Sequence, residues 1–194
     1  DRYPYGRGEV FVGYEAQTLV ELGYAVRPLR IYGDPAEGDR DFCLPLDRHR
    51  RRRAIFAAWP QIAAWFWRDL RCIDGASERM TPRLVEKIWR QAVEEVFIYR
   101  RLRELAQTGT EPLTIYSFWC GRGTMAAIRF AATAPGTRTL TRLNGADIIA
   151  ERLRLRGLPL RQYLLSRTDL VAASSSWIKD YVEGRYGTHG QVVE

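Results

Sequence analysis

The feature that most constrains the fold is the alternation of strand and helix patterns in the last third of the chain. Thr137 to Leu143 predicts a strand, and a polar turn and a helical pattern follow it. A second strand, Asp169 to Ala173, leads through three serines into a helix from Trp177 to Tyr186. Strands that alternate with helices form parallel sheets, because each crossover returns the chain to the same end of the sheet. This stretch therefore predicts an α/β fold.

The segments on either side fit the same architecture. Leu113 to Trp119 predicts a buried strand, and Met125 to Ala132 a helix of small residues that can pack close to a sheet. Two further helices and the opening of a last strand are predicted at Asp147 to Arg156, Leu160 to Ser166 and Gln191. We expect one Rossmann-like, three-layer domain with a mainly parallel sheet over residues 1–194.

The N-terminal segment predicts a turn, a helix and a strand in succession. Tyr3 to Gly8 is the turn, Glu9 to Leu22 has helical spacing and stops at Gly23, and Ala25 to Tyr32 reads as a strand. A polar loop follows from Gly33 to Asp41. In a doubly wound domain such a turn normally follows a central buried strand. We therefore expect the first strand to be truncated in this sequence.

Pro82 to Leu105 predicts a long amphipathic helix that begins at Thr81 as its N-cap. Its apolar stripe is expected to face the core, whereas the Glu94-Glu95 pair is expected at the surface.

The segment from Asp47 to Leu70 joins a run of arginines to a run rich in Trp and Phe. This composition is typical of an interfacial amphipathic element, and an ordinary core helix with a solvated arginine cap would also explain it. One hypothesis is that Arg48 to Trp67 docks on an anionic membrane.

Charge and rare residues restrict the function classes. The net charge of +7 and the pI near 9.6 favour polyanionic partners, which include nucleic acid, anionic lipid and phosphorylated substrates. No nucleic-acid-binding motif is present, so we do not expect nucleic acid as a partner. Three widely spaced cysteines and two histidines predict reduced thiols, no metal site and no histidine-based centre. We expect a cytoplasmic protein without a membrane span.

Polar groups cluster where the predicted strands end, which is where open α/β sheets bind ligands. Arg142, Asn144 and Asp147 share one turn, in which arginine can pair with phosphate and the amide or carboxylate with sugar hydroxyls. Asp147 could equally cap the next helix, as could Ser174, Ser175 and Ser176 before the last one. Gly6-x-Gly8 and Gly121-x-Gly123 lie at strand-to-helix turns that could approach an anion or simply be tight turns.

The order and spacing of three segments resemble glycosyltransferase family four, which has the two-domain GT-B architecture. The family's turn "Arg-x-His-Gly-x-Asp" corresponds to Arg142, Asn144, Gly145 and Asp147 here. Its "Leu-Pro-x-Arg" helix corresponds to Leu158, Pro159 and Arg161, and its "Ser-x-x-x-Lys-x-Tyr" segment to Ser175, Lys179 and Tyr181. Its N-terminal segment "Tyr-Pro-x-Gly-x-Gly-Glu-x-Phe-x-x-x-x-Glu" corresponds to Tyr3, Pro4, Gly6, Gly8, Glu9, Phe11 and, at a looser spacing, Glu15.

The resemblance implies that the chain is the N-terminal, acceptor-side half of a retaining, metal-independent glycosyltransferase. It implies a nucleotide-diphosphate sugar as donor, bound mainly by a C-terminal domain outside this chain, a glycan or lipid-linked acceptor, and no cofactor. The residues expected at substrate are Gly6, Gly8, Glu9, Trp119, Arg142, Gly145, Ser175 and Lys179, with Asn144 and Asp147 at the catalytic turn. Asn144 stands where the family has histidine and cannot titrate, so a non-catalytic relative or a basic anion-binding module is the alternative. The intact enzyme is expected in the cytoplasm, with peripheral contact to the inner face of the membrane as a further expectation.

Overall fold

The structure is a computed structural model, and it describes residues 10–33, 42–45, 47–73, 81–107, 112–148, 160–187 and 192–193. The chain forms two compact units, residues 1–59 and residues 60–194. Each unit combines helices with parallel strands. The predicted fold class, an α/β Rossmann-like three-layer fold with mainly parallel sheets, is confirmed.

The first unit contains helix α1 (Val10–Glu21), strands β1 (Arg30–Gly33) and β2 (Phe42–Pro45), and helix α2 (Arg48–Ala57). The predicted stop at Gly23 is confirmed, since Gly23 has a φ of +91° and its N–H donates to the Val20 carbonyl at 2.9 Å. β1 is shorter than predicted, because the chain around Pro28, which lacks an N–H, is irregular up to residue 29. β2 pairs in parallel with β1 and was not predicted.

The second unit contains most of the helices. They are α3 (Trp59–Arg71), whose first residue belongs to the first unit, α4 (Pro82–Ala106), α5 (Arg122–Ala131), α6 (Gly145–Ile148), α7 (Arg161–Arg167) and α8 (Ser176–Tyr186). The predicted start of α4 is confirmed, because the Thr81 hydroxyl accepts from the Leu84 N–H at 3.2 Å and Pro82 opens the helix. Among the described residues, no helix is long and apolar enough to cross a bilayer.

The strands of this unit form one parallel sheet in the order β3-β4-β5-β6. They are β3 (Thr114–Ser117), β4 (Arg138–Leu143), β5 (Leu170–Ala173) and β6 (Val192–Val193). β3 is half-buried rather than buried as predicted, since it stands at one end of this strand order. α5 packs on β3 and β4, and α8 on β5 and β6. The core between these elements is apolar and comprises chiefly Met125, Leu143, Ile148, Leu160, Leu164, Leu165, Val171, Ile178 and Val182.

At the amino ends of β4 and β5, Thr139 and Asp169 form a reciprocal hydrogen-bonded pair. The Asp169 Oδ2 accepts from the Thr139 N–H at 2.7 Å and from its hydroxyl at 2.8 Å. The Asp169 N–H in turn donates to the Thr139 hydroxyl at 3.0 Å. These three bonds hold the two strands in register where both begin.

The helices α3, α4 and α5 enclose a cluster of charges. Glu94 and Glu95 are buried, so their predicted surface position is wrong. The reason is that neighbouring helices cover them and supply cations. Arg122 contacts Glu94 at 2.6 Å, and Arg129 lies 3.6 Å from Glu95 and hydrogen-bonds Asp69. A helical-wheel pattern of one helix does not reveal such partners.

The segment from Asp47 to Leu70 forms two helices of different character. No residue of α2 is buried, whereas α3 buries Ile62 and Asp69. Trp65 of α3 packs against Tyr99, with ring centroids 5.1 Å apart, and its ring lies 4.2 Å from the Arg129 guanidinium carbon. The interpretation as a core helix with a solvated arginine cap therefore fits, with α3 as the core helix and the arginines of α2 as the exposed part, although the two form separate helices.

Candidate functional site

The segments that follow β3, β4 and β5 meet at one edge of the parallel sheet. Parallel neighbours point the same way, so their carboxyl ends lie together. The Ser174 N–H donates to the Leu143 carbonyl at 3.1 Å, which joins the segments after β4 and β5 directly. We call the residues from Phe118 to Gly123, Arg142 to Gly145 and Ser174 to Lys179 the carboxyl edge. It brings six of the predicted residues into one region: Trp119, Arg142, Asn144, Gly145, Ser175 and Lys179.

Arg142 is the cation that β4 contributes to this edge, and it is half-buried. Its guanidinium carbon lies 5.2 Å from the centroid of the Phe118 ring, and Phe118 in turn packs edge-to-face on Trp119 with centroids 5.2 Å apart. A guanidinium over an aromatic face keeps its charge while its planar fork is held in place. The arrangement suits an arginine that presents donors to an anion.

Asn144 follows β4 immediately, and Gly145 begins α6. Both residues are half-buried at the sheet edge. An amide can donate and accept hydrogen bonds, but it cannot transfer a proton at neutral pH. The position supports hydroxyl recognition and gives no general base at Asn144.

The turn between β3 and α5 is bonded within itself. A Cβ at Gly123 would lie 2.8 Å from the Ser117 Oγ, so a larger residue there would displace the Ser117 hydroxyl. The Gly121 N–H donates to the Thr124 hydroxyl at 3.1 Å, and Thr124 contacts the Trp119 carbonyl and the buried Thr141 hydroxyl. The tight-turn interpretation accounts for both glycines, because the Gly121 N–H already has a partner.

Arg161, at the start of α7, also stabilises this turn, because its buried guanidinium donates to the Cys120 carbonyl. Arg161 belongs to the resembling motif, yet its clamp on Cys120 could not be predicted, since the two residues are far apart in sequence. Nearby, burial raises the pKa of Tyr186, with the charges of Arg185 and Arg161 opposing that rise.

Ser175 is the N-cap of α8, and its hydroxyl accepts from the Ile178 N–H at 3.4 Å. The capping interpretation is therefore confirmed. Lys179 lies one turn into the same helix, where its N–H donates to the Ser175 carbonyl at 3.1 Å, and it is half-buried. Trp177 and Tyr181 stack with centroids 5.7 Å apart on the same helix.

Four of the predicted residues cannot be placed. Gly6, Gly8 and Glu9 lie outside the described residues, as does the side chain of Asp147, whose backbone belongs to α6. Of the helix predicted from Asp147 to Arg156, the structure describes only the part that belongs to α6, up to Ile148.

The strongest pKa shifts lie away from this edge, in the cluster between α3, α4 and α5. Burial raises the pKa of Asp69 from 3.8 to about 6, against the opposing charge of Arg129. Burial and the neighbouring Asp69 carboxylate raise the pKa of Glu95 well above 4.5. Perturbed carboxylates often mark active sites. These two are almost fully buried, however, so no substrate reaches them and their role is structural.

A shallow depression of about 470 Å³ lies beside α1, far in sequence from the carboxyl edge. It is lined by Gly13, Tyr14, Ala16, Gln17, Val20, Val26 and Pro28, none of which is charged. The described part of its lining therefore offers no acidic or basic side chain. Within the described ranges, no three His, Cys, Asp or Glu side chains are grouped so that they could hold a metal ion.

No family model matches this chain, and searches of curated proteins and of solved structures return no match.

Proposed function

We propose that this chain is the acceptor-side, Rossmann-like domain of a retaining glycosyltransferase of GT-B architecture. The intact protein transfers a sugar from a nucleotide-diphosphate donor to a hydroxyl of a glycan or lipid-linked acceptor. A C-terminal domain outside this chain binds most of the donor.

The observation that carries the proposal is the convergence of Trp119, Arg142, Asn144, Ser175 and Lys179 at the carboxyl edge of one parallel sheet. Ligands of open α/β folds bind at this edge. An aromatic face, cations and hydrogen-bonding side chains together suit a sugar that carries or accepts a phosphate-linked group. The three segments also occur in the order and spacing of the resembling family.

In this mechanism the domain acts by positioning and by positive charge. Arg142 presents its planar fork to a phosphate or to the departing diphosphate. Negative charge develops on that diphosphate in the transition state, and stabilising this charge is the main way in which such an enzyme lowers the activation barrier. Asn144 holds an acceptor or donor hydroxyl by hydrogen bonds, and Trp119, 36% exposed, offers a ring against the sugar. No metal ion is required.

The test uses the full product of the gene that encodes this chain. Nucleoside diphosphate release from UDP- and GDP-sugars is measured with and without a lipid extract, in the presence and absence of EDTA. We expect acceptor-dependent release that EDTA leaves unchanged, and none from residues 1–194 alone.

Two arginines of β4 provide a matched pair of variants. Arg142→Ala is expected to lower kcat/KM at least about tenfold, which is about 1.4 kcal/mol of transition-state stabilisation. Arg138→Ala, at the exposed amino end of the same strand, should change it less than about twofold. Thermal unfolding of both variants checks that each is folded. Equal effects of the two substitutions would refute a site at the carboxyl edge.

The second candidate function is sugar-nucleotide binding without transfer, and Asn144 is the observation that favours it. Isothermal titration of the full protein with UDP- and GDP-sugars measures binding independently of turnover. Binding without release in the native protein, with release gained in Asn144→His, would assign the non-catalytic function. Release by the native protein would exclude it.

A further inference from the structure

Helix α2 of the first unit buries none of its residues. It carries five arginines and His49 in ten residues, and no acidic residue occurs from Arg48 to Trp59. Asp47 precedes it, and its carboxylate is engaged as the N-cap, accepting from the Arg50 N–H at 2.7 Å. This hydrogen bond lowers the pKa of Asp47. The exposed charge of the helix itself is therefore entirely basic.

The helix has an inner and an outer side. Arg51, Ala54 and Ile55 are half-buried, α2 packs beside β2, and the Arg51 guanidinium lies 5.8 Å from the Tyr32 ring. The outer side holds Arg48, Arg52, Arg53 and Phe56, which are exposed. Arg52 and Arg53 stand four and three positions before Phe56, so all three share one face of the helix.

This outer side is costly for a protein surface in water alone. Like charges at i and i+4 repel one another, and a ten-residue helix without buried residues is marginal by itself. Phe56 is 83% exposed and Trp59, two residues past the helix end, is 52% exposed. An anionic partner removes the repulsion, and an apolar layer below it would take up both rings.

We propose that the outer face of α2, comprising Arg48, Arg52, Arg53 and Phe56, docks together with Trp59 on an anionic lipid bilayer. Arginines keep their charge among phosphate headgroups, while aromatic rings enter the acyl boundary beneath them. Arg52, Arg53 and Phe56 share one helix face, so the two arginines can contact headgroups while the Phe56 ring enters the layer below. The contact is peripheral. The proposal takes α2 and Trp59 from the hypothesised segment, and it leaves out Trp65, which packs on Arg129 and Tyr99. It does not depend on the proposed function.

The experiment is co-sedimentation of the protein with phosphatidylcholine vesicles that either contain or lack phosphatidylglycerol. Binding is expected only to the vesicles with phosphatidylglycerol, and it should weaken as salt rises. Each basic residue near an anionic surface contributes about 1 kcal/mol, so Arg52→Gln/Arg53→Gln should weaken binding roughly 30-fold. The matched control is Arg83→Gln/Arg103→Gln, which removes the same charge from exposed positions of α4.

A second pair of variants tests the apolar part of the surface. Phe56→Ser should weaken vesicle binding about tenfold, because its ring no longer enters the bilayer. Trp177→Ser, at a tryptophan of α8 that is 56% exposed, should leave binding unchanged. Neither position is buried, and far-UV circular dichroism confirms that each variant is folded.

Three results would overturn the proposal. The first is no binding to either vesicle, and the second is an equal loss in the α2 variant and its α4 control. The third is binding of a duplex or single-stranded oligonucleotide by this face with no binding to vesicles, which would assign it to nucleic acid instead.

Discussion

Arg129 is the only cation that the structure places between Asp69 and Glu95 among the described residues, and Arg129→Met tests what holds α3, α4 and α5 together. The arginine side chain is 6% exposed, and the two carboxylates are almost fully buried. Methionine keeps much of the length and the apolar stem but removes the charge and both contacts. Two buried carboxylates then face each other without the cation that contacts both.

The size of the effect follows from burial. Removing one partner of a buried ion pair typically costs about 3–5 kcal/mol, because an uncompensated charge remains in the interior. Arg90→Met is the control on α4, since Arg90 and Glu86 form a pair at 2.8 Å whose side chains are 67% and 66% exposed. Pairs of that kind contribute about 0–1 kcal/mol. The two variants should therefore differ by at least about 2 kcal/mol in the free energy of unfolding.

The pH dependence separates charge from packing. Arg129 lowers the pKa of both carboxylates, so its loss moves both pKa values further upward. Groups whose folded pKa is raised destabilise the protein increasingly as pH rises, so the cost of Arg129→Met should be larger at about pH 7.5 than at about pH 5. Urea unfolding at both pH values measures the difference. A cost of Arg129→Met that equals that of Arg90→Met at neutral pH, or that is independent of pH, would refute this reasoning.

Three further outcomes are expected. Asp69 has a folded pKa of about 6 against 3.8 unfolded, so the protein should lose up to about 3 kcal/mol of stability from this group as pH rises from about 4 to about 7. In urea titrations, Asp69→Asn should flatten this dependence of stability on pH. The control Asp180→Asn, at an exposed position, should retain it. Gly123→Ala should destabilise by about 1 kcal/mol in the native background, because the Ser117 hydroxyl must give up its 2.8 Å bond to a carbonyl, but should be neutral or stabilising with Ser117→Ala. Ser175→Ala should cost about 1 kcal/mol in thermal unfolding and Ser175→Asp almost nothing, since aspartate is also an N-cap; equal losses would argue against the cap.

Local signals were sufficient for much of the fold. Thr81 and Pro82 predict the start of α4, and Gly23 predicts the end of α1, because caps depend on neighbours within a few residues. The strand-to-helix alternation predicts that Asn144 and Ser175 follow adjacent parallel strands, which the pairing of β4 with β5 confirms.

What the sequence did not predict depends on contacts between distant segments. Glu95 has the pattern of a surface glutamate until Arg129 of another helix is placed beside it. The bond from Arg161 to the Cys120 carbonyl likewise joins residues that no local pattern relates. β2 was missed because four residues ending in Pro45 are too short for a period-two pattern to be recognised.

The pair formed by Thr139 and Asp169 determines more than the local stability of two strand ends. Because side chains alternate along a strand, a slip of one residue between β4 and β5 would exchange the faces on which they point. Such a slip would also change which residue of β5 lies beside Leu143, and with it the contact from Ser174 to the segment that carries Asn144. The alignment of the carboxyl edge is thus set at the opposite end of the sheet. Substitution of Asp169 would be expected to alter ligand binding without touching any residue that meets the ligand.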